Sequence, residues 1–410
     1  MLSVEEARAK VIEVVTARAG KCPLKMETVE FARDPAPALG RILAENIVAD
    51  RNYPPFDRSI RDGFAVRASD TAQPGAKLKL VGESRAGVAF SGTVEPGQCV
   101  RILTGAAVPR GANTVVMQEY AREEGDVVIL EQAAKPGQHF VHAGAEARVG
   151  EVVVTLGTRI SYAELAMAAE VGRVRLQVIR RPRVAILSTG DEVVEVDKKP
   201  GPFQIRNSNT ISLSAQVELA GGEPLPLENA RDDMAELRAK IEKGLESDIL
   251  LLSGGMSVGK YDLVETALRE LDAEFFFDAV ALRPGKPAVF GWCKGKPVLG
   301  LPGNPVSTMV TFELFAVPVI ELRSGYMPQA LPFFKAKLGH AIDEKAGVAH
   351  YLPARVSWPG GEPHVELMLW EGSGDIGAVV RGNCFVRVDQ PRLHLEAGEW
   401  VDVLPRRGTF

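Results

Sequence analysis

The chain has 410 residues, of which 46% are hydrophobic and 25% are charged, a composition typical of soluble globular proteins with several domains. Its net charge of −5 argues against a nucleic-acid partner, because nucleic-acid-binding surfaces are basic. No apolar run approaches the ~20 residues of a membrane span, and the N-terminus has no apolar signal segment. The four cysteines form no CxxC pair, which indicates reduced thiols. We therefore expect a cytoplasmic protein with neither nucleic-acid nor membrane partners.

The first half of the chain contains two kinds of sequence pattern, one helical and one rich in short strands. An amphipathic helix with a capping box is predicted over residues 3–19. Short strand-like runs separated by Gly and Pro turns then predict a β-rich domain over residues 50–142. Residues 143–179 return to a helix followed by a strand. We expect residues 1–49 and 143–179 to form one discontinuous α+β domain, with the β-rich domain inserted into it.

The second half predicts two further domains. Residues 180–326 alternate apolar strands with helices, which indicates a mainly parallel sheet in a three-layer α/β domain. Its last helix, over residues 306–322, is expected to kink at Pro318. Residues 327–410 are rich in strands and Gly/Pro turns, which predicts a small barrel or sandwich. Of these two, we favour a C-terminal β-barrel.

Three polar sets follow apolar strands of the predicted α/β domain. They comprise Ser188, Thr189, Gly190, Asp191 and Glu192; then Ser253, Gly254, Gly255 and Ser257, running on to Asp262; and then Pro302, Gly303, Asn304, Pro305 and Ser307. Parallel strands bring such sets to one edge of the sheet, where α/β proteins bind ligands. Hydroxyls and the free N–H groups of Gly-rich loops and helix N-termini suit phosphate. The three sets together predict a site for a phosphorylated small molecule.

The carboxylates near these sets have two interpretations. Adjacent acids such as Asp191 and Glu192 are usually solvated or capping, but beside a phosphate they become candidates for Mg²⁺. Asp232 and Asp233 open a helix, and Asp233 is the expected N-cap. Asp262 also stands near a helix start, so both capping and catalysis remain open for it.

The remaining candidate site residues are two cations and two residues at turns of the β-rich segment. Arg283 and Lys286 lie on a stiff Pro/Gly turn, which favours anion binding over simple solvation. In the β-rich segment, Asp62 and Thr104 each follow a basic or apolar run at a turn. Taken alone, these last two positions are ordinary turns.

The motifs, in chain order, resemble a known family. STGDE, SGGMSVGKYD, RPGKP and LPGNPVS are similar to the ligand domain of the molybdopterin molybdenumtransferases of the MoeA type, whose eukaryotic relative is the gephyrin E domain. PPFDRSIRDGFAVR and RILTGAAVPRGANTVVMQE are similar to the second domain of that family. The resemblance is highly specific from about residue 40 to 325 and weaker beyond.

The resemblance implies a four-domain homodimer whose active site is shared between subunits. It implies insertion of molybdenum from molybdate into adenylyl-molybdopterin, with release of AMP and with Mg²⁺. These small anionic substrates would be accompanied by one protein partner, the molybdopterin adenylyltransferase. The implied catalytic positions are Asp62, Thr104, Glu146, Glu192, Asp232 and Asp262. Of these, Glu192, Asp232 and Asp262 are the expected Mg²⁺ ligands, while Arg283, Lys286, Ser373 and the three polar sets would bind the substrates.

The chain departs from the family pattern at several positions. Glu146 stands where an aspartate is usual, and Ala279 and Arg283 stand where two lysines are usual. Pro353 stands near the position of a family arginine. An alternative hypothesis is therefore a pterin-binding or scaffold paralogue with weak or no turnover. A third hypothesis, a nucleotide-processing enzyme with a related α/β domain, leaves the motifs of the β-rich segment unexplained.

Overall fold

The computed structural model describes residues 1–21, 23–255, 263–343, 347–389 and 394–409. Two compact units divide the chain. The larger unit comprises Met1–Val29, Ala38–Ala44 and Gln177–Phe410, and the smaller unit comprises Glu30–Pro37 and Glu45–Leu176. Two strands, Met26–Glu30 and Arg175–Ile179, lie at the points where the chain passes between the units.

The smaller unit is built on a six-stranded sheet. The strand order is Thr114–Met117, Gly63–Val66, Gln98–Ile102, Ala76–Ser84, Val127–Leu130 and Ala121–Glu124. Phe64, Val66 and Leu78 contribute to its buried core. The remaining elements are the strand pairs Arg58–Ser59 with Phe140–Val141 and Ile47–Val48 with Val152–Val154, the helix Tyr162–Glu170, and the 3₁₀ turns Ala68–Thr71 and Gln118–Tyr120. A β-rich segment was predicted here, and the strands confirm it.

The α/β part of the larger unit contains a second six-stranded sheet. Its order is Glu223–Pro226, Arg183–Ser188, Ile249–Ser253, Lys296–Leu301, Val289–Cys293 and Glu274–Phe277. The first four strands are parallel, and the last two join antiparallel. The predicted mainly parallel sheet is confirmed. The two outermost strands were missed. One of them, Glu223–Pro226, contains two prolines, which are tolerated at a sheet edge but weaken the strand signal.

Helices cover both faces of this sheet. Alternate residues of the strand Arg183–Ser188 point to opposite sides, so Val184 joins one buried cluster and Ala185 joins another. The first face packs the helices Val4–Ala17, Ser208–Leu219 and the helix from Pro305 to Arg323; the second packs Met234–Gly244 and Leu263–Glu270. The first of these helices begins in the capping box predicted at its start. The three layers leave the carboxyl ends of the parallel strands open.

The helix from Pro305 to Arg323 is irregular where proline was expected to disturb it. It consists of α-helix Pro305–Thr311, a π-helical turn Phe312–Ala316 and α-helix Val317–Arg323. Pro318 has no N–H to donate to the carbonyl of Leu314, and Arg8 Nη1 donates to that carbonyl at 3.1 Å. In the described part of the chain this is the one helix long and apolar enough to cross a membrane, but 78% of its apolar window is buried. Because most of this window is buried, it is a core helix.

The C-terminal part forms a closed five-stranded barrel. Each of the strands Phe334–Leu338, Ala349–Ser357, His364–Leu367, Cys384–Val388 and Trp400–Pro405 has two neighbours in the ring. The predicted barrel is confirmed, and the sandwich is excluded. The remaining elements of the larger unit are the strands Leu282–Arg283, Val193–Val194, Ile205–Arg206, Ile342–Asp343 and His394–Leu395, the helix Ile376–Arg381, and the 3₁₀ turns Ala19–Lys21 and Pro359–Gly361.

Candidate functional site

A cleft of about 370 Å³ opens at the carboxyl edge of the parallel strands. Its walls come from all three of the polar sets that follow those strands. From these sets the lining residues are Ser188, Thr189, Glu192, Ser253, Gly254, Gly255, Pro302, Gly303, Asn304 and Pro305. The parallel register accounts for this, because Ser188 pairs with Ser253, which in turn pairs with Leu301. The chain therefore continues from three adjacent strand ends into one cleft.

Two glycines bring the second set into close contact with the first. A Cβ on Gly254, which has a φ of +90°, would lie 2.7 Å from the carbonyl oxygen of Thr189. A Cβ on Gly255, with a φ of +63°, would lie 2.7 Å from Thr189 Oγ1. Only glycine fits either position without a shift. Thr189 Oγ1 is itself buried and has no hydrogen-bond partner among the described residues.

The helix Ser208–Leu219 joins the second and third sets through a residue that the sequence analysis missed. Asn209 Nδ2 donates to Ser253 Oγ at 2.9 Å and to the carbonyl of Gly303 at 2.7 Å. Asn207, which also lines the cleft, caps the same helix by accepting from the N–H of Thr210. The available signal was a polar run, Asn207-Ser208-Asn209, at a helix start near a sheet edge.

The third set is joined to the loop that carries Ser373. Asn304 lies at the N-cap of its helix without capping it; its Nδ2 donates instead to Ser373 Oγ at 2.8 Å. The N–H of Val306 donates to the carbonyl of Ser373 at 3.0 Å. Ser307, in contrast, is buried within the helix and does not line the cleft. Ser373 is thereby placed beside Asn304, whereas the Ser307 side chain is placed away from the cleft.

Three carboxylates cluster where Glu192 enters the cleft. The N–H of Asp232 donates to Asp191 Oδ1 at 3.2 Å, and Glu192 lines the cleft itself. Burial, and then the negative charges of Asp191 and Glu192, raise the pKa of Asp232. Asp233 caps the following helix by accepting from the N–H of Glu236 at 2.8 Å, as predicted. The predicted site residues Ser257 and Asp262 lie outside the described residues.

The donor set near this cluster is chemically suited to Mg²⁺. Among the described residues, no group of three or more His, Cys, Asp or Glu side chains is arranged to hold a metal by itself. Mg²⁺ nevertheless binds through one or two carboxylates and completes its shell with phosphate oxygens and water. Glu192 and Asp232 would supply two such carboxylates. The three-residue ligand set with Asp262 stays a prediction.

The two predicted cations lie beside the cleft rather than in its wall. Arg283 and Lys286 are exposed, and Pro287, the next residue, lines the cleft. Within the described part of the chain, neither cation has a side-chain hydrogen bond or ion pair that would compete with an anion. Their role in substrate binding stays a prediction.

In the smaller unit, the structure brings Asp62 and Thr104 together. Asp62 Oδ1 accepts from the N–H of Thr104 at 2.6 Å and from Thr104 Oγ1 at 2.8 Å. These two hydrogen bonds lower the pKa of Asp62. Glu146 is engaged separately, in a 2.8 Å ion pair with Arg58. Two turns that are ordinary when taken alone thus form one hydrogen-bonded pair.

Comparison with known families covers most of the chain. Residues 2–172 match the MoeA N-terminal region (domain I and II), and residues 185–322 match a probable molybdopterin binding domain. Residues 335–405 match the MoeA C-terminal region (domain IV). The cleft described above lies in the second of these segments, and Ser373, which is bonded to Asn304 of its wall, lies in the third.

Known proteins match over comparable lengths. The molybdopterin molybdenumtransferase of Haemophilus influenzae is 32% identical over 99% of this chain and 98% of its own. That of Nostoc is 39% identical over 74% of this chain and 71% of its own. The crystal structure of a molybdopterin biosynthesis MoeA protein from Pyrococcus horikoshii superposes with a TM-score of 0.80 and 31% identity, covering 100% of both chains. The chain therefore belongs to the molybdopterin molybdenumtransferases, a family of transferases in the biosynthesis of the molybdenum cofactor.

Proposed function

We propose that the protein inserts molybdenum from molybdate into adenylyl-molybdopterin and releases AMP in an Mg²⁺-dependent reaction. The observation that supports this most directly is the cleft in which three polar sets meet beside a cluster of carboxylates. Its walls offer amide and hydroxyl groups to an oxyanion, and its acidic end offers oxygen ligands to a divalent cation. Both substrates are anions, which suits this arrangement.

The residues of the cleft have separable roles in this proposal. The backbone at Gly254 and Gly255, which lies against Thr189 because neither residue has a Cβ, would offer its N–H groups to the substrate. Glu192 and Asp232, together with Asp262, would hold Mg²⁺, which neutralises charge on the pyrophosphate when it is bound. Arg283 and Lys286 would add positive charge from the adjacent turn.

We further propose that the functional protein is a cytoplasmic homodimer with a shared active site. The support is the hydrogen-bonded pair of Asp62 and Thr104, an exposed polar pair in the smaller unit whose two bonds lower the pKa of the carboxyl. Glu146, also in the smaller unit, would join Asp62 and Thr104 in the shared active site. A molybdopterin adenylyltransferase is the proposed protein partner, because it would supply the adenylylated substrate.

The proposal is tested by measuring AMP release. Purified protein with adenylyl-molybdopterin, molybdate and Mg²⁺ should release AMP, and chelation of the metal should stop the reaction. Glu192→Gln and Asp232→Asn should each lower the rate at least tenfold. The control is Asp197→Asn, which removes an exposed carboxylate away from the cleft and should stay within twofold of the parent. No AMP from the parent protein under any of these conditions would contradict the proposed reaction.

A pterin-binding scaffold with weak turnover is the second candidate. Two observations favour it: Ala279 supplies no cation where the family has one, and the Glu146 carboxylate is paired with Arg58. If this is correct, the double variant Ala279→Lys, Glu146→Asp should raise AMP release well above the parent. Unchanged turnover in that variant would count against it.

A further inference from the structure

The turn from Gly190 to Val193 places Glu192 in the wall of the cleft. Asn229, a residue outside the polar sets, is hydrogen-bonded to this turn. Asn229 Nδ2 donates to the carbonyl of Gly190 at 2.9 Å and lies 3.5 Å from that of Val193. Gly190 has a φ of +129°, and a Cβ there would lie 2.5 Å from Glu192 Oε2. The Glu192 carboxylate therefore packs against the turn's own backbone. The position of the Glu192 carboxylate therefore depends on the hydrogen bond that fixes the Gly190 carbonyl.

Asn229 is itself fixed by the helix that follows it. Lys240 Nζ donates to the carbonyl of Asn229 at 2.7 Å and pairs with Glu236 Oε1 at 2.8 Å. The Lys240 side chain is only 22% exposed, so this bond is partly shielded from water. Lys240, on the helix Met234–Gly244, thus fixes Asn229, and Asn229 in turn fixes the Gly190–Val193 turn.

The same segment carries the other carboxylate. The N–H of Ala230 donates to the carbonyl of Ser188 at 2.9 Å, and the N–H of Gly190 donates to the carbonyl of Ala230 at 3.1 Å. Two residues later, the N–H of Asp232 donates to Asp191 Oδ1. Asn229 is therefore, with Asp191, one of two side chains that link the backbone segment bearing Glu192 to the segment bearing Asp232.

Only the Nδ2 atom of the Asn229 side-chain amide forms a hydrogen bond among the described residues. Its Oδ1 is buried and has no hydrogen-bond partner among the described residues. Such an atom opposes folding, because its hydration is lost without replacement. A leucine of similar size would avoid this loss but could not donate to the turn. The donation by Nδ2 is thus the property for which an asparagine is needed here.

We infer that Asn229, anchored by Lys240, is a positioning residue that sets the Gly190–Val193 turn and so the spacing of Glu192 and Asp232. This inference rests on the proposed function, in which those two carboxylates act. Residues that orient a metal- or substrate-binding carboxylate usually change activity ten- to a hundredfold when removed. The substrate itself is held by other walls of the cleft.

The kinetic test compares Asn229→Leu and Asn229→Asp, which both remove the donor, with Lys240→Met. Each should lower kcat for AMP release at least tenfold while leaving KM within twofold. Lys240→Arg keeps a donor and should recover most of the activity. Lys243→Met, an exposed lysine on the same helix, is the matched control and should behave as the parent. A kcat of the Asn229 variants within twofold of the parent overturns the inference.

A second measurement does not depend on catalysis. Amide hydrogen exchange over residues 189–194 in the substrate-free protein should be at least tenfold faster in the Asn229 and Lys240→Met variants. It should be unchanged in Lys240→Arg and Lys243→Met. If the parent releases no AMP, the proposed function fails, while this exchange pattern still decides whether Asn229 holds the turn. Unchanged exchange in the Asn229 variants overturns the inference.

Discussion

The close approach of Gly254 to Thr189 leads to a quantitative prediction. In Gly254→Ala the new Cβ would lie 2.7 Å from the Thr189 carbonyl oxygen, whereas carbon–oxygen contacts need about 3.3 Å, so one loop must move by roughly 0.6 Å. A displacement of that order at a binding site lowers catalysis substantially, since about 1 Å can cost ~100-fold. We therefore expect kcat/KM for AMP release to fall at least tenfold.

Gly221→Ala provides the matched control. Gly221 has a φ of +89°, almost that of Gly254, but a Cβ there meets nothing within 4 Å. Backbone strain should destabilise both variants by about 1–2 kcal/mol in urea denaturation, and Gly254→Ala should lose more because of its added contact. Only Gly254→Ala should also impair AMP release. If the two variants have the same kcat/KM, the close approach at Thr189 does not shape the substrate site.

Three further outcomes follow from individual contacts. Thr104→Val should raise the pKa of Asp62 toward its ordinary value in an NMR titration, and Thr104→Ser should not, because the hydroxyl bond stabilises the carboxylate. Carboxylate partners, Glu396 and then Asp343, raise the pKa of His394 to about 8 from 6.5. The stability that it contributes over His394→Gln should therefore be complete below about pH 6.5 and lost as pH rises through 8, by denaturant titration. Arg8→Met should cost about 1–2 kcal/mol of unfolding free energy, and less in a Pro318→Ala background, where the restored N–H can serve the orphaned carbonyl.

Local sequence patterns predicted those elements whose signal lies within a single segment. The strand Ile249–Ser253 begins with four apolar residues, and such a run between helices indicates a strand buried on both faces, as observed. The capping residues at Ser3 and Asp233 likewise identify helix starts, because the cap bonds only a few residues ahead. The placement of three polar sets at one edge followed from parallel register alone.

Contacts that join distant segments had no comparable signal. Asn209 reaches Ser253 and Gly303, which are 44 and 94 residues away, and the polar run around it indicates a helix start but not these contacts. The Asn229 contact to Gly190 spans 39 residues. Ser307 shows the opposite error: a hydroxyl at a helix start suggested a ligand, but the helix turns that side chain into the core. The direction of a side chain depends on packing that the local pattern does not contain.

The charges of the cleft bear on why Mg²⁺ is part of the proposal. Among the described residues that line it, Arg206 is the one basic side chain and Glu192 the one acidic side chain, so the walls are close to neutral. Neutral amides and hydroxyls can orient a pyrophosphate but cannot balance its charge, and an unbalanced charge is costly to take out of water. Further positive charge would then come from a bound cation or, among the described residues beside the cleft, from Arg283 and Lys286. Ala279 contributes no positive charge, so the metal held by the carboxylates would have to balance more of the charge on the pyrophosphate. The contacts that set the geometry of these carboxylates then have a larger effect on activity.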